Sequence, residues 1–162
     1  MSFDTAIRME ALPFSGIRVM MERANRMQRE GKDIIHMEIG RPDFDTPEAI
    51  CAEVPAALAE GKTHYIENNG RRDLREAIAC FEREKCGMDY TADEVLVTAG
   101  ATQGLFTALF SILNPGDEVI TFAPYFSEYK CYTIHMDANL VLSGTDENFQ
   151  PKLDEFEAKI TP

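Results

Sequence analysis

The sequence predicts an α/β fold with a mainly parallel sheet, and three observations carry that expectation. Short apolar runs at 95–97, 119–122 and 140–142 have the length and composition of strands. Segments with apolar residues at helical spacing alternate with them. Turn-forming clusters, Asn69-Gly70 and Asn114-Pro115-Gly116-Asp117, punctuate the series.

The elements follow in order. After a short arm, Ser15 suits the N-cap of a helix reaching about Glu30, with Ile17, Met20, Met21, Ala24 and Met27 as its apolar stripe and Gly31 as its stop. Asp33 to Ile39 is a short apolar segment. It enters the loop Gly40-Arg41-Pro42-Asp43-Phe44-Asp45-Thr46-Pro47, whose prolines, aspartates and glycine disfavour regular structure. Thr46 followed by Pro47 reads as a cap and a first-turn proline, and Gly61 closes that helix. A polar linker from Lys62 to Arg72 holds an isolated Tyr65. The next helix, Asp73 to Lys85, is expected to bury Leu74, Ile78 and Phe81 and to end at Gly87.

Glu94 to Leu113 then reads as a strand buried on both faces, a small-residue turn and an apolar helix. Ala99, Gly100 and Ala101 leave the backbone open to a ligand, and Thr102 adds a hydroxyl where the helix begins. Unpaired amides at a helix start favour a phosphate or a carboxylate. Gly100 and Gly104 fit neither the GxGxxG fingerprint nor the phosphate loop ending in Gly-Lys-Ser/Thr, so a glycine that merely turns a strand into a helix is the alternative reading. Asn114 to Asp117 is a strong turn, 119–122 a second buried strand, Tyr125 to His135 a helix, and 140–142 a third strand.

Composition bounds the function classes. The 162 residues suffice for one ordinary domain, and 44% hydrophobic with 27% charged residues is the balance of a globular chain rather than a disordered one. A formal net charge of -12 argues against nucleic acid and anionic membranes as partners. No apolar run reaches the length of a membrane span and the N-terminus lacks a signal-peptide pattern, so a cytoplasmic location is the expectation. Cys51, Cys80, Cys86 and Cys131 form no CxxC pair, and His36, His64 and His135 lie far apart, so no metal site is expected and the cysteines read as reduced, partly buried side chains.

Taken together, five ordered segments resemble the N-terminal part of class I and II aminotransferases, the fold type I enzymes that use pyridoxal 5'-phosphate. They are the loop Gly40 to Pro47; Tyr65 with Gly70 and Leu74-Arg75-Glu76-Ala77-Ile78; Val97-Thr98-Ala99-Gly100-Ala101-Thr102-Gln103; Asn114-Pro115-Gly116-Asp117-Glu118-Val119; and Ala123-Pro124-Tyr125-Phe126-Ser127-Glu128-Tyr129. The resemblance implies the three-layer, mainly parallel sheet of the fold type I large domain, incomplete in this chain. An N-terminal arm and a small-domain helix would precede it, with residues 1–46 forming the arm and part of the small domain and 47–162 the first part of the cofactor domain. In such a sheet the strand before Gly100 is separated from the other two by strands supplied later in the chain.

The resemblance also implies roles. Gly100, Ala101 and Thr102 match the phosphate cradle, Phe126 the aromatic stacked on the pyridine ring, and Tyr65 the tyrosine that donates to the phosphate of the partner's cofactor across a homodimer. Gly40 matches the glycine beside the substrate carboxylate. The implied substrates are an amino acid and a 2-oxo acid. The family's Schiff-base lysine, pyridine-nitrogen aspartate and carboxylate-binding arginine follow an Asn-Pro-x-Asn-Pro-Thr-Gly motif that is not among these residues. Ser127-Glu128-Tyr129-Lys130 has Ser-x-x-Lys spacing but lacks the Gly-x-Arg-x-Gly that should follow, and Lys130 reads as a solvated helix residue. The expectation is therefore a segment of an aminotransferase that is inactive alone, with a homodimer or a complementing C-terminal segment as its expected partner. Alternatives are a non-catalytic anion-binding or dimerisation module, and a carbon-sulfur lyase or synthase on the same fold.

Overall fold

A computed structural model describes residues 4–161. Its helices are α1 (Arg8–Ala11), α2 (Gly16–Arg29), α3 (Glu48–Ala59), α4 (Arg72–Cys86), α5 (Ala101–Ile112), α6 (Glu128–His135) and α7 (Leu153–Glu157), with a 3-10 turn at Ala92–Glu94. Two strands, β1 (Glu118–Phe122) and β2 (Asn139–Ser143), lie between the later helices. The chain divides into two compact units, one made of residues 41–105 and the other of those up to Gly40 together with those from Phe106 onward.

The second of these units holds the sheet. β1 and β2 pair in parallel, from Glu118 with Asn139 to Phe122 with Ser143, and α6 makes the crossover that a parallel pair requires. The turn before β1 is built by its own sequence. Asp117 N–H donates to the Asn114 carbonyl at 3.1 Å, and the Asp117 carboxylate accepts from Asn114 N–H at 2.7 Å. Gly116, at φ +94°, donates to the Asp137 carbonyl at 2.8 Å and so ties this turn to the corner entering β2. The packing is aromatic. Phe106 lies edge-on to Tyr132 and to His135, with ring centroids 6.2 Å and 6.0 Å away, and Phe122 packs on Phe156 at 5.3 Å. Tyr132, a member of this cluster, and Met136 are buried.

Residues 41–105 are organised differently. Gly61 and Gly87, at φ +69° and +70°, end α3 and α4 as their positions suggested. Thr91 and Glu94 form a reciprocal capping box on the 3-10 turn. On α4 the expected core is displaced: Leu74 and Phe81 are 45% and 57% exposed, Ile78 is half-buried, and the covered positions are Arg75 and Ala79. The linker and the 3-10 turn cover that face, and they present carbonyls rather than apolar groups.

Other expectations need correction too. The segment 95–97 is extended but belongs to no strand, because no ladder partner for it stands among the described residues. Strand 119–122 is half-buried, since its sheet has only two members here. Ser15 occupies the N-cap of α2 without a side-chain bond, and at α3 the cap is Pro47 rather than Thr46. Cys51, Cys80 and Cys86 are exposed and only Cys131 is partly covered; all four are free. No helix among the described residues is long and apolar enough to cross a membrane, and none of their His, Cys, Asp and Glu side chains cluster as a metal site would require.

Candidate functional site

The chain passes from extended to helical around Gly100. Val95 has φ −107° and ψ 126°, whereas α5 begins at Ala101. Gly100 makes the change at φ +84°, a left-handed conformation that a side chain would strain. Its carbonyl accepts the first helical bond, from Gly104 N–H at 3.2 Å, and a second from the Thr98 hydroxyl at 3.1 Å. The Gln103 side chain folds back and accepts from Ala99 N–H at 2.5 Å. The amides of Ala101 and Thr102 stand in the first turn, where no intrahelical carbonyl can reach them. Both residues are exposed, and a Cβ built on Gly100 would meet nothing within 4 Å. The helix start is thus an open array of N–H donors at the positive end of the helix dipole, with the Thr102 hydroxyl beside it.

Close contacts hold this turn in place. A Cβ on Gly104 would lie 3.1 Å from the Thr98 hydroxyl, so glycine lets the first turn settle on Thr98. Further back, Gly70, at φ +97°, lies against Val97: a Cβ there would come within 2.7 Å of two Val97 side-chain atoms. Val97 N–H donates to the Asn69 carbonyl at 3.0 Å, which completes the junction between linker and extended segment. Arg75, only 2% exposed, fastens the same linker. Its Nε–H donates to the Gly70 carbonyl at 3.0 Å, Nη1–H to the Ala92 carbonyl at 2.8 Å, and Nη2–H to the Glu67 carboxylate. Sequence reasoning missed Arg75 because it sought apolar residues on α4. Arg75, Ile78, Ala79 and Glu82 form the covered face of α4, and two of those four are charged, so apolar periodicity did not mark it.

Tyr65, Gly100, Ala101 and Thr102 belong to the unit of residues 41–105, and Gly40 and Phe126 to the other. Tyr65 is fully exposed in the linker. Gly40 lies in irregular backbone with open space where a Cβ would point. Phe126 follows the carboxyl end of β1, where ligands of parallel sheets commonly bind, and is half-exposed with its ring edge-on to Tyr129 at 5.8 Å. The loop that carries it is anchored by Ala123 N–H to the Ser143 carbonyl at 2.8 Å and by the Thr145 hydroxyl to the Ala123 carbonyl at 2.9 Å. Lys130 is exposed on α6. The carboxyl of Asp73, held down to about 2 by the Arg71 guanidinium, sits in the first turn of α4 and serves the start of that helix.

The model of the family "Aminotransferase class I and II" matches residues 32–162. The chain belongs to the class I and II aminotransferases. Among relatives of this family, an aspartate aminotransferase of Thermotoga maritima is 37% identical over 152 residues, covering 93% of this chain and 40% of its own length. A (5-formylfuran-3-yl)methyl phosphate transaminase of Methanocaldococcus jannaschii is 40% identical over 147 residues, covering 89% and 40%. The solved structure of an aspartate aminotransferase from Thermus thermophilus with maleate superimposes with a TM-score of 0.92 at 35% identity, covering 99% of this chain and 43% of that one. The aminotransferase chain therefore spans about 40% of the length of the relatives it matches, and its α/β architecture with a small parallel sheet is part of the larger fold type I domain.

Proposed function

We propose that this chain supplies the phosphate end of the cofactor site in a pyridoxal 5'-phosphate-dependent aminotransferase that moves an amino group between an amino acid and a 2-oxo acid. The observation that carries the reading is the turn at Gly100: a left-handed glycine, open space beside it, and first-turn amides with a hydroxyl. That donor set suits a phosphate dianion. Gly100, Ala101 and Thr102 would hold the phosphate, Phe126 would lie on the pyridine ring, and Gly40 would leave room beside the substrate carboxylate. Bound there, the pyridine ring supplies an electron sink for the amino acid's α-carbon. Tyr65, without cover from its own unit, would donate to the phosphate held by a partner subunit in a homodimer. Residues 1–46 are assigned to the arm and part of the small domain and 47–162 to the first part of the cofactor domain.

The same reading makes these 162 residues inactive by themselves, because the lysine segment of the family is not among them. The test is to titrate the purified chain with pyridoxal 5'-phosphate and with pyridoxal. The phosphorylated form is expected to bind at least about tenfold more tightly, a difference of about 1.4 kcal/mol, and inorganic phosphate should compete. Equal affinity for both would sink the reading, and sustained amino-group transfer by the chain alone would sink its inactivity. A second reading, a binding or dimerisation module without chemistry, draws on the broad exposed apolar surface, including Phe110 and Ile112 on α5. It predicts weak, non-covalent cofactor binding that borohydride cannot trap, and self-association without activity.

A further inference from the structure

We propose that Arg75 is a positioning residue for the phosphate site: one buried guanidinium fixes the linker that carries Tyr65 against the segment that delivers the amides of Ala101 and Thr102. The inference rests on the reading of those groups as phosphate ligands, and its own evidence is the way Arg75 is held. An arginine that is 2% exposed spends its donors in three directions, on Glu67 and Gly70 of the linker and on Ala92 of the 3-10 turn, while Asp93 lies 3.5 Å from Nη1. The linker it grips continues through Asn69, whose carbonyl holds Val97, and through Gly70, which is packed against Val97. Val97 leads directly to Thr98, which bonds the Gly100 carbonyl. The linker at Glu67 to Gly70, two residues beyond Tyr65, and the cradle are therefore joined by a short series of contacts with Arg75 at its centre.

The carboxylates are not the main source of this rigidity. The side chains of Glu67 and Asp93 are 59% and 78% exposed, so water screens both ion pairs. The two carbonyls accept from Nε–H and Nη1–H, two nitrogens that the planar guanidinium holds in fixed directions, whereas an ammonium gathers its three donors on one nitrogen. Lysine at position 75 keeps the charge and loses the fork, which makes it the discriminating substitution.

The experiment compares the protein with its Arg75→Lys and Glu67→Gln variants by two readouts. One is the ratio of affinities for pyridoxal 5'-phosphate and pyridoxal; the other is amide hydrogen exchange at Val97, with Tyr132 and Thr133 of the other unit as internal reference. Arg75→Lys should lower the phosphate preference by about tenfold and speed Val97 exchange by at least about tenfold, leaving the reference amides unchanged. Glu67→Gln keeps an acceptor and should change either readout by less than about threefold. Unchanged phosphate preference and unchanged Val97 exchange in Arg75→Lys would overturn the proposal. So would exchange that accelerates equally at Val97, Tyr132 and Thr133, since that reports general destabilisation. If the unsubstituted protein shows no phosphate preference, the cofactor reading fails, and the Val97 exchange of Arg75→Lys alone decides whether the clamp exists.

Discussion

The two compact units reach order by different means. Around β1 and β2 rings and apolar groups pack together, Phe106 against Tyr132 with Met136 also buried, although the most deeply buried side chains there, Thr133 and Ser143, are polar. In residues 41–105 the covered positions are Gly70, Arg75 and Ala79, and what joins the segments is hydrogen bonding to carbonyls and the close contacts at Gly70 and Gly104. Apolar packing is forgiving of geometry, because a ring that shifts slightly still buries area. A left-handed glycine and a forked guanidinium admit almost no displacement. The unit that presents the cradle is thus the one with the less adaptable interior.

The sharpest way to break that contrast is Gly70→Ala. A methyl group at φ +97° would also strike Val97, so the strain of the conformation and the overlap add to a destabilisation of about 3 kcal/mol. Urea unfolding followed by exchange at Val97 measures it; a loss below half that value would show the junction to be soft. A smaller effect of opposite sign is expected in the aromatic unit. The Tyr132 hydroxyl is buried with no hydrogen-bond partner among the described residues, so Tyr132→Phe should leave stability unchanged or raise it by up to about 1 kcal/mol. Marked destabilisation would mean that the hydroxyl has a partner and that this unit too depends on directed polar contacts.

The smallest effect concerns the capping box. Glu94 accepts from Thr91 N–H at 2.9 Å, and that bond, with the one from the Thr91 hydroxyl, holds its carboxyl below the ordinary glutamate value. A lowered folded-state pKa contributes stability that is present above the unfolded value, roughly pH 4.3, and is lost as pH falls through the folded value. Thermal unfolding should show Glu94→Gln less stable than the parent at pH 7, with the gap closing in acid. A gap independent of pH would assign the effect to shape and not to charge.

How much of this was legible follows from the same contrast. Gly31, Gly61, Gly87 and Asn114-Pro115-Gly116-Asp117 mark boundaries in the sequence because local backbone geometry alone decides them. The parallel pairing of β1 and β2 was readable from alternation of strand and helix. Burial was read less well. Periodicity shows which face of α4 is apolar, but the covering element decides which face is covered, and here that element offers carbonyls to Arg75. Val95 to Val97 have strand composition, yet a strand exists only with a neighbour, and residue identity does not supply one. At the site, small residues announced the turn around Gly100, whereas a charged residue inside a helix is ordinarily taken to face water.

The contact between Gly70 and Val97 has a genetic consequence. Trimming Val97 to alanine would remove one of the two clashing atoms and leave the other, and no change at position 97 alters the φ of position 70. The two halves of the penalty have different origins, so no single second-site substitution at 97 can relieve both. Selection for recovered stability after a change at position 70 should therefore favour glycine itself, because a substitution at Val97 relieves at most the overlap and leaves the strain of the left-handed backbone.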